Sequence, residues 1–189
     1  TVGLVGDAKA TLEALYRAIS KTIPARRYPS EETKLARAQR FKRKSRVEPQ
    51  YSIVRAIRAA LPDDAIIVEG VTQIGYGARY YYEVYEPGTY FTSSYFGNLG
   101  YAYPLALGAK VAQPERTVVA ISGDGGFLYN SQELATAVKY GINVVAIVFN
   151  DNAYGNVLRD QVNRFEGRII GSKLHNPDFV KLAEAYGAM

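Results

Sequence analysis

A chain of 189 residues with 48% hydrophobic content is long enough for one full α/β core and a smaller piece beside it. The absence of cysteine excludes a disulfide scaffold and a thiolate metal site. No apolar run reaches membrane-spanning length, and the N-terminus lacks the charged start and apolar core of a signal peptide, so a cytoplasmic protein without a membrane partner is expected. The net charge of +5 is uneven: nine basic residues between Arg26 and Arg46 face only Glu31 and Glu32, which leaves the remainder acidic. Such a stretch can serve as a nucleic-acid patch. A solvated linker fits it better, because only Tyr28 and Phe41 and no glycines interleave, sparser than in single-strand binders.

In chain order, Val2–Val5 reads as a strand, Gly6-Asp7 as a turn with Asp7 as N-cap, and Leu12, Leu15, Tyr16 and Ile19 as a helix face. This βα unit is too small for a domain and reads as the end of a preceding one. Pro24, Pro29 and Pro49 together with the basic run make residues 21–49 a linker. Ile53, Val54, Ile57 and Leu61 then give an amphipathic helix stopped by Pro62-Asp63-Asp64, and Ala65–Val68 a short strand ending at Glu69-Gly70. A Tyr-rich segment follows, whose rings fit a subunit interface or sheet edge better than substrate stacking. Tyr101–Ala112 reads as a helix and Thr117–Ser122 as a buried strand. Asn130-Ser131-Gln132-Glu133 resembles a capping box, opening a helix closed by Gly141. Asn143–Phe149 is a continuous apolar run of the kind found in central parallel strands. A last helix begins at Asn176-Pro177, burying Phe179, Leu182, Ala183 and Tyr186. The alternation predicts an α/β fold: a parallel sheet with helices on both faces. Thr1 in place of an initiator Met, and a stop at Met189 just beyond a helix, predict a piece of a longer protein.

The chemistry concentrates at Gly123-Asp124-Gly125-Gly126 and Asn150-Asp151-Asn152, each directly after a strand. Ligands of open parallel sheets bind beyond the carboxyl ends of the strands. Neighbouring strands lie about 4.8 Å apart, so Asp124 and Asp151 at adjacent tips can approach one hard cation. Mg²⁺ takes oxygen ligands and shares its shell with phosphates. The amides of Gly125 and Gly126 are expected to be free to face a phosphate, since glycine lets the backbone come close. A tight βα turn and a dinucleotide site are the rival readings. Against the second, GDGGFL lacks the third glycine of GxGxxG, and the Asp124 carboxylate would repel a pyrophosphate without an intervening cation.

These two segments resemble the signature of thiamine diphosphate-dependent enzymes, and the chain around them resembles the acetolactate synthase, benzoylformate decarboxylase and pyruvate decarboxylase superfamily. Residues 1–20 are similar to the end of its central domain, and residues 50–189 to most of its C-terminal, diphosphate-binding domain. The resemblance implies thiamine diphosphate and Mg²⁺ as cofactors, with Asp124 and Asp151 as side-chain metal ligands and Ala153 as a ligand through its carbonyl. Many members carry Asn where this chain has Asp151, and the extra charge should tighten cation binding while making it more pH-dependent. Gly125 and Gly126 would hold the diphosphate from one side, with Asn150 beside them, and Thr72 and Gln73 from the other. Gly97, Asn98 and Leu99 match the turn that grips the aminopyrimidine, with the Leu99 side chain wedging the cofactor into a bent shape that brings its amino nitrogen toward the reacting carbon.

The activity implied is decarboxylation of a small 2-oxo acid or its carboligation to a second carbonyl, in a homodimer or homotetramer. No catalytic residue is assigned here, because the family's activating glutamate belongs to an N-terminal domain; the fragment alone is expected to hold half a site and to turn nothing over. The family's flavin site also lies mostly outside these residues, so FAD has no support in this fragment. The run Thr72-Gln73-Ile74-Gly75-Tyr76 departs from the acetolactate synthase Gln-His-Gln-Met-Trp type, and the chain contains no Trp; that puts acetolactate formation in doubt. Two alternatives stay open: a nicotinamide-dependent oxidoreductase domain, and a non-catalytic nucleotide-binding or interaction module. His175, the single histidine, reads as a loop residue and receives no role.

Overall fold

The computed structural model describes residues 3–23, 36, 47–93 and 95–188. The chain divides into two compact units, Thr1–Arg46 and Val47–Met189. In the first, helix α1 (Ala8–Ser20) starts where expected, and the Asp7 carboxylate accepts the Ala10 amide at 2.9 Å. The strand expected over Val2–Val5 does not form across residues 3–5. A strand needs a ladder partner for its amides and carbonyls, and the described residues of this unit offer none. Most of the basic stretch from Arg26 to Arg46 lies outside the described residues.

The second unit is an α/β layer structure around a parallel sheet of order β2-β1-β3-β4. Its strands are β1 (Ile66–Glu69), β2 (Tyr90–Phe91), β3 (Val118–Gly123) and β4 (Val145–Phe149). Ile66 pairs with Val118 and Val119 with Val145. Helix α2 (Gln50–Ala59) precedes the sheet, and α3 (Gln73–Tyr81) follows β1. Helices α4 (Ala102–Ala112), α5 (Asp124–Leu128), α6 (Glu133–Tyr140), α7 (Gly155–Arg164) and α8 (Phe179–Tyr186) complete the unit.

Successive strand residues point to opposite faces, and both faces of β1 and β3 are apolar. Ile66, Val68, Val118 and Ala120 pack with Tyr103, Ala106 and Leu107 of α4, Phe127 of α5 and Leu134 of α6 in one cluster. On the other parity Ile67, Val119 and Ile121 are just as buried, as are Val54 of α2 and Ile74 and Ala78 of α3. This is the expected central-strand pattern, but it belongs to β1 and β3.

Strand β4 departs from expectation. It sits at the sheet edge among the described residues, and Val145 is 54% exposed. A continuous apolar run reports what covers the two faces of a strand; it carries no information about which ladder neighbours the strand has. The capping box also fails. Tyr129 is already in the helical region, the Asn130 amide donates back to the Phe127 carbonyl, and Gln132 enters α6 without a side-chain cap. The chain therefore reaches α6 through a continuing turn, where no extended N-cap residue is required. Gly141 closes α6 at φ 61° as expected. Phe179 and Leu182 of α8 pack against the main cluster, whereas Tyr186 remains 36% exposed. No helix among the described residues is long and apolar enough to cross a membrane.

Candidate cofactor site at the strand tips

Three strand ends and one turn converge on a cavity of about 500 Å³, within the range usual for small-molecule sites. After β1, Thr72 ends the extended segment and caps α3: its Oγ1 accepts the Gly75 amide at 2.8 Å. Gly75 is required there, because a Cβ would lie 2.3 Å from the Gly70 carbonyl oxygen. The polar wall then comes from Thr72 and Gln73 at the start of α3, from Gly123–Gly126 after β3, and from Asn150, Asp151 and Ala153 after β4. Gly97 and Leu99 close another side.

Of the eleven residues singled out from sequence, ten line this one cavity, and Asn98 does not. Asn98 is exposed, its amide donating to the Leu99 carbonyl at 3.3 Å. The turn's phi-positive residues, Gly97 and Gly100, set its course. At Gly100 a Cβ would lie 2.7 Å from that of Tyr129, so only glycine permits the approach that brings Leu99 to the cavity.

Asp124 is 3% exposed. Its Oδ1 accepts the Gly125 amide at 2.8 Å, and its Oδ2 accepts the Ala153 amide at 3.3 Å and Asn176 Nδ2 at 2.6 Å. The Gly125 amide is therefore engaged by the neighbouring carboxylate and is not free as expected. Asp151 is exposed on the same cavity, and a Cβ at Gly155 would lie 2.9 Å from its Oδ2. Residues 152–154 are held by a returning segment: Leu174 donates to the Asn152 carbonyl and Tyr154 to that of Ser172, both at 2.8 Å. Asn152 adopts φ 56°, a left-handed conformation that Asn tolerates better than most residues.

The profile of residues 70–189 matches a family model described as thiamine pyrophosphate enzyme, C-terminal TPP binding domain. The chain belongs to this family. It is 35% identical over 98% of its length to a probable 2-ketoarginine decarboxylase of Pseudomonas aeruginosa, covering 34% of that protein. A probable acetolactate synthase large subunit of Methanocaldococcus jannaschii is 36% identical over 97% of the chain and 30% of the relative. Among solved structures, the thiamine diphosphate-dependent 4-hydroxybenzoylformate decarboxylase of Rhodococcus jostii RHA1 superposes with a TM-score of 0.67 at 33% identity, over 73% of this chain and 26% of the other. The chain thus spans about a third of the length of the curated relatives it matches.

The residues present fit the family's cofactor and a cation. The cavity carries two carboxylates and no lysine or arginine. Among the described residues no cationic side chain pairs with buried Asp124. A buried charge is costly unless paired or bound to a metal, so this donor set suits a divalent ion. No cluster of three acidic or histidine side chains exists among the described residues, which leaves room in the shell for backbone and phosphate oxygens.

Other contributors to the cavity had no sequence signal strong enough to mark them. Pro49, Ile53, Tyr76, Tyr154 and Asn156 line it, and Gln73 Nε2 donates to Asn156 Oδ1 across it. Beside it lies a buried polar group that the sequence hinted at only through a Glu closing an apolar strand. Glu69 has no exposed surface; Arg79 donates to its Oε1 and Tyr90 to its Oε2. Burial pushes the Glu69 carboxyl above its ordinary value, against the pull of the Tyr90 and Arg79 hydrogen bonds. Burial also pushes the Tyr101 phenol up to about 12. The tyrosines therefore divide: Tyr81 and Tyr103 are core, Tyr90 and Tyr101 border Glu69, Tyr76 lines the cavity, and Tyr80, Tyr85 and Tyr95 are exposed.

Proposed function

We propose that this chain supplies the diphosphate half of a Mg²⁺–thiamine diphosphate site in a 2-oxo acid decarboxylase or carboligase. The observation that carries the reading is the gathering of Asp124, Asp151 and Ala153 with Gly126, Thr72, Gln73 and Leu99 around one cavity. In this reading Asp124, Asp151 and the Ala153 carbonyl hold the cation. Gly125, Gly126 and Asn150 bound the diphosphate on one side, and Thr72 and Gln73 on the other. Leu99 supports the bent form of the cofactor, and Gly97 receives its amino group. When bound, the cofactor supplies the electron sink for breaking the bond to the carboxylate; the protein supplies orientation and electrostatics.

We assign residues 1–20 to the end of a central domain, 21–49 to a linker and 50–189 to the cofactor-binding domain, in a cytoplasmic oligomer whose remaining domains complete the site. The similarity to 2-ketoarginine and 4-hydroxybenzoylformate decarboxylases supports a 2-oxo acid as substrate. No observation favours the nicotinamide-dependent alternative or an interaction module. Calorimetry of the chain with thiamine diphosphate, with and without Mg²⁺, tests the reading. Binding should require Mg²⁺ and be lost in Asp124→Ala; binding indifferent to both would refute it.

A further inference from the structure

Asn176 lies outside the two strand-tip segments, in the loop before α8, and is not among the residues lining the cavity. Its Nδ2 nevertheless donates to both segments, to Asp124 Oδ2 at 2.6 Å and to Asn150 Oδ1 at 2.8 Å. Both acceptors are oxygens, and this determines which end of the amide faces them. The Oδ1 of Asn176 is buried without a hydrogen-bond partner. The side chain is thus oriented by what its NH₂ holds, at the expense of its own acceptor.

We infer that Asn176 is a positioning residue for the cation site, holding the Asp124 carboxylate so that Oδ1 faces the ion. This rests on the reading that Asp124 ligates a cation. An ionised carboxylate has about four acceptor positions, two on each oxygen. On Asp124, Oδ2 has both occupied, by Asn176 Nδ2 and the Ala153 amide, whereas Oδ1 accepts the Gly125 amide alone. The one remaining lone pair is on Oδ1, and Asn176 is what saturates the other oxygen. A neutral amide is the right donor at this point, because lysine or arginine in its place would neutralise Asp124 and compete with the cation.

The second hydrogen bond ties Asn150, and with it the segment carrying Asp151, to the same donor. Packing fixes the donor in turn. Asp178 caps α8 through the amides of Val180 and Lys181, and Phe179 meets the ring of Phe127 on α5 at 5.8 Å between centroids. Helix α5 begins with Asp124 itself.

The test is titration calorimetry of thiamine diphosphate binding to the chain with Mg²⁺ and, separately, with Ca²⁺, for wild type, Asn176→Ala and Asp178→Ala. Removing an outer-shell partner of a metal ligand typically weakens metal affinity about 10–100-fold. Asn176→Ala should show a loss of that size with Mg²⁺ and a smaller one with Ca²⁺, whose coordination tolerates a reoriented carboxylate. Asp178→Ala loosens the same helix without touching Asp124 and should leave the Mg²⁺/Ca²⁺ ratio unchanged. Asn176→Ser, with a hydroxyl too short to reach both acceptors, should repeat the alanine result and serves if that variant fails to fold. Unchanged Mg²⁺ affinity in the Asn176 variants, or an equal shift of the ratio in Asp178→Ala, would overturn the inference. Absence of Mg²⁺-dependent binding in wild type would instead overturn the proposed function, and this inference with it.

Discussion

Asp124 and Gly125 show how closely cofactor chemistry and backbone sterics are joined in this fold. The buried Asp124 carboxylate is satisfied by three donors, while its neighbour must have no side chain. A Cβ at Gly125 would lie 2.5 Å from Tyr154 Cε1, 2.8 Å from its Cδ1 and 3.1 Å from Leu174 Cδ1. Gly125→Ala should therefore displace the Tyr154 ring from the cavity wall. The expected cost is about 1–3 kcal/mol, as for other overpacked sites. Chemical denaturation should show this loss together with weaker cofactor binding. The glycines Gly123, Gly125 and Gly126 were readable as a motif, whereas Tyr154 as the obstacle at Gly125 was not, since the two are brought together only by folding.

At the scale of elements, the helix ends carry much of the local order. Thr72 and Asp178 cap α3 and α8 with side-chain oxygens, as Asp7 does for α1. The Asp178 carboxyl is held below its ordinary value of 3.8, first by the Lys181 backbone amide and also by the Lys181 charge and the Val180 amide. A carboxylate with a lowered folded-state value adds stability that is complete above its unfolded value and fades as pH falls through the folded one. The melting-temperature difference between wild type and Asp178→Ala should thus be constant at neutral pH and shrink below about pH 3.8. A difference that persists unchanged to lower pH would show that the cap does not act through its charge.

Element type was legible wherever period and punctuation agreed, as in α1, α2, α4, β1 and β3. It was not legible in α3, where Gln73–Tyr81 is rich in Gly and Tyr, weak helix formers. That helix forms because Thr72 caps it and because Ile74, Ala78 and Tyr81 are buried. The run Asn130–Glu133 shows the converse: a local capping signal was overridden by the turn arriving from α5.

Across the whole molecule, the cavity draws its walls from residues as far apart as Pro49 and Val157, so cofactor binding should couple to the stability of the entire Val47–Met189 unit. A ligand binding only the folded state at 100 times its Kd stabilises by about 2.7 kcal/mol, which for a unit of this size raises the melting temperature by roughly 5–10 °C. Thermal melts should show that rise with Mg²⁺ and thiamine diphosphate together, and none for Asp124→Ala. An equal rise in both proteins would place binding away from the strand tips.

The parallel α/β class, the alternation of α2, β1, α4, β3, α6, β4 and α8, and the two acidic strand tips followed from sequence alone, because periodicity, glycine turns and strand-end placement are local properties of the chain. Helices α3 and α7 and strand β2 did not. Which strand stands at the edge, which tyrosines are core, that Asn98 turns away and that Asn176 reaches Asp124 were decided only by the tertiary structure. Those are contacts between segments distant along the chain, Asn176 and Asp124 among them, and their energy depends on burial and mutual orientation, which no local pattern encodes.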